Sequence, residues 1–393
     1  MTQIYKINHL EFNSSKSQFC LCYNDGIITY NTNNFKERYN SNNLGNIFLA
    51  KIVHELNIVI FVGSDNNELY NNRKIVIYDL INQKIIYSTP FQNKITSLKI
   101  VNKYVIIGFQ TELKIFSLEK KDNLIPIKEI SLPESELYEV WYKSFDLLSI
   151  VKIFLVYLFE DEICISSFIG NEWNLDKKID IKSPTPKIQN FFYIDKLNQI
   201  FIPDEKASYI YGINTNNGKQ KIRLYRGNNP GIITSMTLLN KNYIAINNLN
   251  IAIHIYDINE GSNKLNISNL FGSFIYGNYI SSFMTINYYD LIIENEGEFY
   301  EYDFQKKGAI LNSEEDGTEL SIIAYNGNAY KLKINFFKKE YDIILKEKYA
   351  EYKINQNEEY NINDSEINIY SSYISKFDKG KKNGNKEKFI VYK

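Results

Sequence analysis

The amino-acid sequence predicts an all-β fold, a seven-bladed β-propeller, and two observations support it. Short apolar or alternating runs rich in Ile, Val, Tyr and Phe occur along most of the chain and are separated by Asn, Asp and Gly turns. A strand ending in an aromatic residue followed by Asp or Ser recurs at roughly forty-residue intervals or their multiples, the period of one propeller blade. About three hundred residues at this period give about seven WD-repeat-like blades. An array of β-sandwiches is the alternative, and the period favours the propeller.

The predicted strands follow one another as single runs or as hairpins, and helical periodicity is nearly absent before residue 335. The runs are FCLCYNDGIITY (19–30), IVIFVG (58–63), KIVIYDL (74–80), ITSLKIVNKYVIIGF (95–109), TELKIFSL (111–118), YIAINN (243–248), DLIIENEGEFYEYDF (290–304) and IIAYNGNAYKLKINFF (322–337). Residues 319–337, which include the last of these runs, are predicted as a hairpin turning at 326–328, a candidate pair of ring-closing strands.

Two regions are predicted from these patterns. Residues 1–337 form the propeller, and residues 338–393 form a C-terminal extension. Weak helical spacing predicts a helix over 341–353, and the lysine-rich stretch 375–389 is typical of a disordered tail. Such a tail is commonly only solvated, although it could also add nonspecific attraction to an anionic membrane.

Composition excludes several function classes. The 393 residues carry a formal net charge of −1, which gives no reason to expect nucleic-acid binding. Three cysteines are too few for a disulfide framework, and we expect a reducing, cytoplasmic compartment. Neither a signal peptide nor an apolar run of the roughly 18 to 20 residues that span a bilayer is visible.

Motifs for catalysis or cofactor binding are also missing from the sequence. We find no glycine-rich phosphate loop, nucleophile elbow or HExxH motif, so we expect no enzymatic activity, no small-molecule substrate and no cofactor or metal. The three histidines, His9, His54 and His254, are scattered, and His254 is expected to be structural within its IHIYD strand.

The basic residues are distributed unusually in one segment. Only four arginines occur among 45 basic residues, and two of them, Arg223 and Arg226, lie within four positions of each other. A chain that otherwise uses lysine has kept two planar guanidinium groups here, which indicates a geometric requirement such as phosphate binding. A solvated basic strand end is the alternative.

The same segment carries a family resemblance. The stretch RLYRGNNPGIITSMTLLNKNYIAINNLNIAIHIYDI, 223–258, resembles the Phe-Arg-Arg-Gly region of the PROPPIN (WIPI) family of phosphoinositide-binding propellers, with Tyr225 in place of the first arginine. The segments 61–118 and 273–304 are similar to further blades of that family in the expected order. The resemblance covers residues 7–304 and implies the propeller fold.

The resemblance implies two phosphate pockets at neighbouring blade boundaries. Adjacent arginines at a strand end point to opposite faces, so one pocket would be served by each. The residues that we expect at the surviving pocket are Arg226, Gly227, Asn229, Ser235, Arg223 and Asn248, with Asn247 as a further possible donor. The second pocket is expected to be degenerate and would contain Tyr225, Lys206 and Ser208, with Asp204 where the family has a hydroxyl.

The family also has an apolar loop in its sixth blade that enters the bilayer. The corresponding segment here is 259–272, and its candidate membrane-contact residues are Leu265, Ile267, Leu270 and Phe271. Leu270 and Phe271 could equally begin the next strand.

Two functions remain. The first is a PROPPIN-like effector, recruited peripherally to autophagic or endosomal and vacuolar membranes that carry phosphatidylinositol 3-phosphate or 3,5-bisphosphate. The resemblance implies autophagy proteins as partners, either a lipid-transfer protein or a subunit of the lipidation complex. The second is a propeller that has lost phosphoinositide binding and acts as a protein-interaction scaffold.

Overall fold

The computed structural model of the protein describes most of the region predicted to form the propeller. The described residues are 7–67, 69–101, 103–131, 138–145, 150–159, 162–169, 172–180, 190–249, 252–259, 279–287, 291, 309–313, 317–325 and 327–348. The chain divides into two units, 1–352 and 353–393, and the second lies outside this range.

The first half of the chain forms four sheets, each an antiparallel meander of four consecutive strands. Sheet 1 contains β1 (Ile7–Phe12), β2 (Gln18–Tyr23), β3 (Gly26–Asn31) and β4 (Glu37–Asn42). Sheet 2 contains β5 (Ile47–Val53), β6 (Ile58–Gly63), β7 (Lys74–Asp79) and β8 (Lys84–Pro90). Sheet 3 contains β9 (Ser97–Val101), β10 (Tyr104–Gly108), β11 (Glu112–Lys120) and β12 (Asn123–Ser131). Sheet 4 contains β13 (Tyr138–Phe145), β14 (Ile150–Phe159), β15 (Glu162–Ile169) and β16 (Glu172–Asp180).

Three further sheets follow. Sheet 5 contains β17 (Phe192–Ile194), β18 (Gln199–Pro203), β19 (Tyr209–Asn214) and β20 (Gln220–Tyr225). Sheet 6 contains β21 (Ile233–Leu239), β22 (Tyr243–Asn248), β23 (Ala252–Asp257) and β25 (Met284–Asn287), and β24 (Ile280–Ser281) adds to sheet 5 as a parallel partner of β20. Sheet 7 contains β26 (Ala309–Ser313), β27 (Glu319–Ala324), β28 (Asn328–Asn335) and β29 (Glu340–Lys348). The predicted strands are thus confirmed as far as they are described, and 290–304 lies outside that range except for Leu291.

The sheets surround a central channel. The first strands of sheets 1, 2, 3, 5, 6 and 7 together line one cavity of about 540 Å³, to which they contribute Glu11, Lys51, Lys99, Tyr193 and Ser235 among others. Glu11 and Lys51 form a 2.6 Å ion pair between sheets 1 and 2. Such an arrangement, with the first strand of each sheet innermost, is that of a β-propeller, and the described residues contribute seven sheets to it.

The repeated Asp at strand ends has a physical explanation. At the end of β7, Asp79 accepts hydrogen bonds from the backbone N–H groups of Ile81 and Asn82 at 3.0 and 2.9 Å. Asn214, Asp257 and Asn335 end the third strands of sheets 5, 6 and 7 and accept equivalent backbone bonds. These side chains satisfy the turn backbone as the chain leaves the third strand, which favours Asp or Asn at this position of the repeat.

The ring closes by packing between its first and last sheets. Ile323 and Ala329 of sheet 7 pack in one apolar cluster with Leu10, Phe19 and other residues of sheet 1. The backbone N–H of Leu10 also donates to the Tyr325 hydroxyl at 3.2 Å. The hairpin predicted at 319–337 is confirmed by the pairing of β27 with β28, and these strands belong to the closing sheet.

Two expectations for the C-terminal region are wrong. The helix predicted over 341–353 is replaced by β29, which pairs antiparallel with β28 from Glu340 to Lys348. The predicted propeller boundary at residue 337 therefore falls inside sheet 7. Pairing with β28 overrides the weak helical spacing, because backbone hydrogen bonds to a neighbouring strand outweigh a small local propensity.

The lysine-rich stretch 375–389 lies outside the described residues. Within the described part of the chain, no helix is long and apolar enough to cross a membrane.

Candidate functional site

Arg226 joins two loops at one end of sheet 5. It begins the loop from β20 to β21, and its backbone N–H donates to the carbonyl of Ser208 at 2.9 Å. Its side-chain Nε donates to the carbonyl of Ala207 at 2.7 Å, and Nη2 donates to the carbonyls of Lys206 and Asn229. These carbonyl oxygens fix the orientation of the guanidinium. Because they are neutral acceptors, they do not cancel its positive charge.

Two glycines of the Arg226 loop have different roles. Gly227 has a φ of +131°, which non-glycine residues rarely adopt, and an added Cβ would meet no atom within 4 Å. An added Cβ on Gly231 would lie 2.4 Å from Asn248 Oδ1 and 2.9 Å from Arg226 Cζ. Gly231 therefore allows Asn248 and Arg226 to approach from either side. Gly231 could not be found from the sequence, because an isolated loop glycine carries no spacing signal.

Sheet 6 forms the far wall of this site, with Asn248 at the end of β22 and Tyr256 on β23. The side-chain amide of Asn248 is fully buried, and neither its nitrogen nor its oxygen has a hydrogen-bond partner among the described residues. The Tyr256 hydroxyl is likewise buried without a described partner. Burial raises the pKa of Tyr256, and the nearby charge of Arg226 lowers it in part. Both groups are neutral donors beside a guanidinium.

His254 lies on β23 near the same charge. Burial, together with the positive charge of Arg226, lowers the pKa of His254 to about 4. Its Nδ1 lies 3.3 Å from the Thr285 hydroxyl. His254 is therefore neutral at pH 7, and Arg226 carries the positive charge here.

The loop between β18 and β19 holds the residues expected at the degenerate pocket. Lys206 is exposed, and its carbonyl accepts hydrogen bonds from Arg226 Nη2 and from the backbone N–H of Gly231. Asp204 accepts the backbone N–H groups of Ser208 and Tyr209 at 2.7 and 3.2 Å. Burial raises the pKa of Asp204, against the opposing effect of these N–H donors and Arg226. The carboxylate expected to repel phosphate is thus engaged by its own loop.

Tyr225 and Arg223 lie together on another part of sheet 5. Alternation along β20 puts Leu224 in the apolar cluster with sheet 6 and places Arg223 and Tyr225 on the opposite face. The Tyr225 hydroxyl donates to Asn228 Oδ1 at 2.8 Å, and its ring lies 5.1 Å from Tyr209. Arg223 stacks on the Tyr209 ring, with its Cζ 4.0 Å from the ring centroid. The role of Arg223 in the Arg226 pocket stays a prediction.

Ser235 and Asn247 are engaged at the channel side of sheet 6. The Ser235 hydroxyl accepts the backbone N–H of Leu311 at 2.9 Å, and Asn247 Nδ2 donates to the carbonyl of Ala309 at 2.9 Å. Both bonds link sheet 6 to β26. The lipid-binding role of Ser235 stays a prediction.

The candidate membrane-contact residues Leu265, Ile267, Leu270 and Phe271 lie outside the described residues. Their segment is followed by Tyr279, whose side chain is 42% exposed and whose ring lies 5.1 Å from Tyr225. In the described part of the chain, no group of three His, Cys, Asp or Glu side chains is arranged to hold a metal.

Sequence comparison finds partial similarity. No family model matches the chain. SVP1-like protein 2 of Pichia angusta is 26% identical over 137 residues, which is 31% of this chain and 38% of that protein. SVP1-like protein 2 of Debaryomyces hansenii is 26% identical over 142 residues, 32% of this chain and 33% of that protein. The chain thus matches about a third of the length of these curated relatives.

Structural comparison covers nearly the whole propeller. Hsv2 of Kluyveromyces marxianus has a TM-score of 0.63 at 13% identity, covering 88% of this chain and 99% of that chain. KlAtg21, in a complex with the coiled coil of AgAtg16, has a TM-score of 0.62 at 13% identity, covering 89% and 100%. SVP1-like proteins, Hsv2 and Atg21 are members of the PROPPIN family. The β-propeller fold is therefore confirmed, and with it the resemblance of this chain to the PROPPIN family.

Proposed function

We propose that this protein is a PROPPIN-like phosphoinositide effector and scaffold, recruited peripherally to membranes that carry phosphatidylinositol 3-phosphate or 3,5-bisphosphate. In this proposal it acts in autophagy or endolysosomal trafficking. One observation carries the proposal: the fixed guanidinium of Arg226 faces a wall in which the buried Asn248 amide and Tyr256 hydroxyl have no described partners.

The chemistry of this pocket suits a phosphate monoester. An oriented guanidinium supplies charge-assisted N–H donors, which bind phosphate oxygens more strongly than neutral donors do. A phosphate oxygen would accept a hydrogen bond from the Asn248 amide or the Tyr256 hydroxyl, and a buried donor without a partner is unfavourable until it is satisfied. With a neutral His254, the site carries little positive charge besides Arg226. Binding through this pocket is therefore expected to be weak and to need additional contacts.

Additional contacts have two proposed sources. The loop residues Leu265, Ile267, Leu270 and Phe271 would contact the bilayer, and the lysine-rich stretch 375–389 would add electrostatic attraction. Autophagy proteins are the proposed partners, and the KlAtg21 complex with the AgAtg16 coiled coil supports a partner of this kind.

Vesicle flotation tests the proposal. Wild-type protein should float with phosphatidylcholine vesicles containing phosphatidylinositol 3-phosphate or 3,5-bisphosphate, and should not float with phosphatidylcholine alone. Arg226→Ala should lower this binding about tenfold or more, because charge-assisted hydrogen bonds are lost. The matched control is Arg38→Ala, which removes a guanidinium stacked over Tyr39, 5.4 Å from its ring centroid, in sheet 1.

Folding must be followed in the same samples, because Arg226 also holds the Lys206 and Asn229 carbonyls. Thermal unfolding by circular dichroism separates a loss of binding from a loss of structure. A folded Arg226→Ala protein that floats like wild type would show that the proposed site is wrong.

The second candidate function is a protein-interaction scaffold without phosphoinositide binding. The observation that favours it is the replacement of the first motif arginine by Tyr225, whose ring packs with Tyr209 and Tyr279. Wild-type protein that floats with no phosphoinositide vesicle, while remaining folded, would support the scaffold over the lipid effector.

A further inference from the structure

The turn between β28 and β29 of sheet 7 presents an aromatic side chain to solvent. Phe337 is 97% exposed, more than any other large hydrophobic residue in the described part of the chain. Lys338 and Lys339 follow it and are also exposed. We call residues 336–339 the hairpin tip. Single exposed apolar residues are ordinary on protein surfaces, so the surroundings of Phe337 decide whether this one has a role.

The hairpin tip is anchored on both sides of its exposed ring. Asn335 Oδ1 accepts the backbone N–H of Lys338 at 3.1 Å. The Phe336 ring stacks on Tyr243, the first residue of β22, with centroids 4.1 Å apart and planes 14° from parallel. Phe337 is therefore displayed on a turn whose conformation is already fixed. Such preorganisation lowers the entropy cost of binding through this side chain.

A second contact places the hairpin tip beside the candidate membrane-contact segment. Lys339 Nζ lies 4.5 Å from the centroid of the Phe283 ring, within cation–π distance. The backbone N–H of Ile258 donates to the carbonyl of Asn242 at 2.8 Å, at the end of sheet 6 where β22 begins. The segment 259–272 follows Ile258 directly in the chain. The hairpin tip thus lies at the end of sheet 6 from which that segment departs.

The charge around the exposed ring is mainly positive. Lys338 and Lys339 lie on the turn itself, and the exposed Lys241 precedes Tyr243 by two residues, whereas Glu340 is the one exposed acidic residue next to the tip. Lysine side chains can extend along an apolar surface and keep their ammonium groups at a polar boundary. Each lysine near an anionic membrane strengthens binding about fivefold.

We propose that the hairpin tip inserts the Phe337 ring into the interfacial region of an anionic bilayer, with Lys338 and Lys339 at the lipid headgroups. An apolar ring on one side and lysines on the other are typical of segments that lie at a membrane interface. The tip is convex, and a bilayer can accommodate a protruding ring, whereas a protein partner would need a matching pocket. The presence of a phosphoinositide in that membrane rests on the proposed function, while the tip itself needs only negatively charged lipid.

The test uses flotation of the full chain with phosphatidylcholine vesicles that contain phosphatidylserine, with and without phosphatidylinositol 3-phosphate. Phe337→Ser is expected to weaken binding about tenfold on both kinds of vesicle, because the ring loses its apolar contact with the lipid. Lys338→Gln should weaken it several-fold. The matched control is Ile81→Ser, which removes a 60% exposed side chain from the equivalent turn of sheet 2, between its third and fourth strands, and should change nothing. All three side chains are exposed, so thermal unfolding should stay at its wild-type value.

Fluorescence tests insertion directly. Phe337→Trp should show a shift of its emission to shorter wavelength and quenching by brominated lipids when vesicles are added. Wild-type protein gives the background, since its two tryptophans, Trp141 and Trp173, lie on β13 and β16 of sheet 4. Binding of Phe337→Trp to vesicles without quenching would show that the ring does not enter the bilayer, and the inference would be wrong.

The remaining outcomes separate the hairpin tip from the proposed function. If Phe337→Ser floats like wild type while Arg226→Ala loses binding to phosphatidylinositol 3-phosphate, the tip is no membrane contact and the proposed function stands. Flotation that depends on Phe337 but not on the phosphoinositide keeps the inference and overturns phosphoinositide recognition. Wild-type protein that floats with no vesicle overturns both. Dimerisation in sedimentation that is lost in Phe337→Ser, without lipid quenching of Phe337→Trp, overturns the inference in favour of a contact between two copies of the chain.

Discussion

The Asn248 carboxamide and the Arg226 guanidinium approach each other across Gly231. An added Cβ there would lie 2.4 Å from Asn248 Oδ1 and 2.9 Å from Arg226 Nη2, closer than real contacts allow. Gly231 therefore lets the loops that Arg226 holds together at sheet 5 lie close to the wall formed by sheet 6. The candidate phosphate pocket depends on this close approach.

Substitution of the two glycines distinguishes steric crowding at Gly231 from unfavourable backbone conformation at Gly227. We expect Gly231→Ala to displace Asn248 or Arg226, to cost about 1–3 kcal/mol of unfolding free energy and to weaken vesicle binding. Gly227→Ala has open space around it and should cost about 1 kcal/mol through its positive φ. Urea unfolding and flotation measure both effects. Wild-type behaviour of Gly231→Ala in both assays would contradict the pocket geometry.

Substitution of Ser235 tests whether its hydroxyl links sheets at the channel or binds lipid in the Arg226 pocket. Ser235→Ala removes the acceptor of the Leu311 N–H, so we expect a loss of about 1–2 kcal/mol in the free energy of unfolding. Vesicle binding should be unchanged, because the hydroxyl is used to link sheet 6 to sheet 7. A Ser235→Ala variant of normal stability that binds vesicles more weakly would instead show that Ser235 belongs to the lipid site.

Two tyrosine hydroxyls are predicted to differ in their effect on stability. Tyr325→Phe leaves the Leu10 N–H without its acceptor at the ring closure and should cost about 1–2 kcal/mol. Tyr256→Phe removes a buried hydroxyl that has no described partner, so it should cost nothing or stabilise the protein. Urea unfolding compares the two. If Tyr256→Phe loses as much stability as Tyr325→Phe, the Tyr256 hydroxyl is already paired in the free protein.

Acidification is expected to destabilise the protein through His254. Its pKa is lowered to about 4 in the folded state by burial and by Arg226, against an ordinary value of 6.5. The unfolded state therefore binds more protons between these values, and the free energy of unfolding falls as the pH decreases from about 6.5 to 4, by about 1–3 kcal/mol. His254→Gln should remove this part of the pH dependence, and its stability at pH 8 serves as the reference. An imidazole signal that titrates in NMR near pH 6.5 would contradict the burial argument.

Local patterns in the sequence were enough to locate most strands. Short apolar runs located β6 and β22 at their observed bounds, and turn chemistry explains why Asp79 and Asp257 recur at strand ends. The outermost strand β29 was mistaken for a helix because its residues alternate weakly. Its conformation depends on pairing with β28, a contact with no local signal.

The sequence by itself determined the repeating all-β architecture and the location of the arginine segment at the end of β20. Both follow from short-range physics: the two-residue alternation of strands, the hydrogen bonds of turns, and the scarcity of arginine in this chain. Tertiary structure decided what each arginine does. Arg226 lies beyond the strand end, where alternation no longer applies, and its partners come from the β18–β19 loop and sheet 6. Arg223 lies within the strand, and because the other face of β20 packs against sheet 6, its guanidinium stacks on the Tyr209 ring instead.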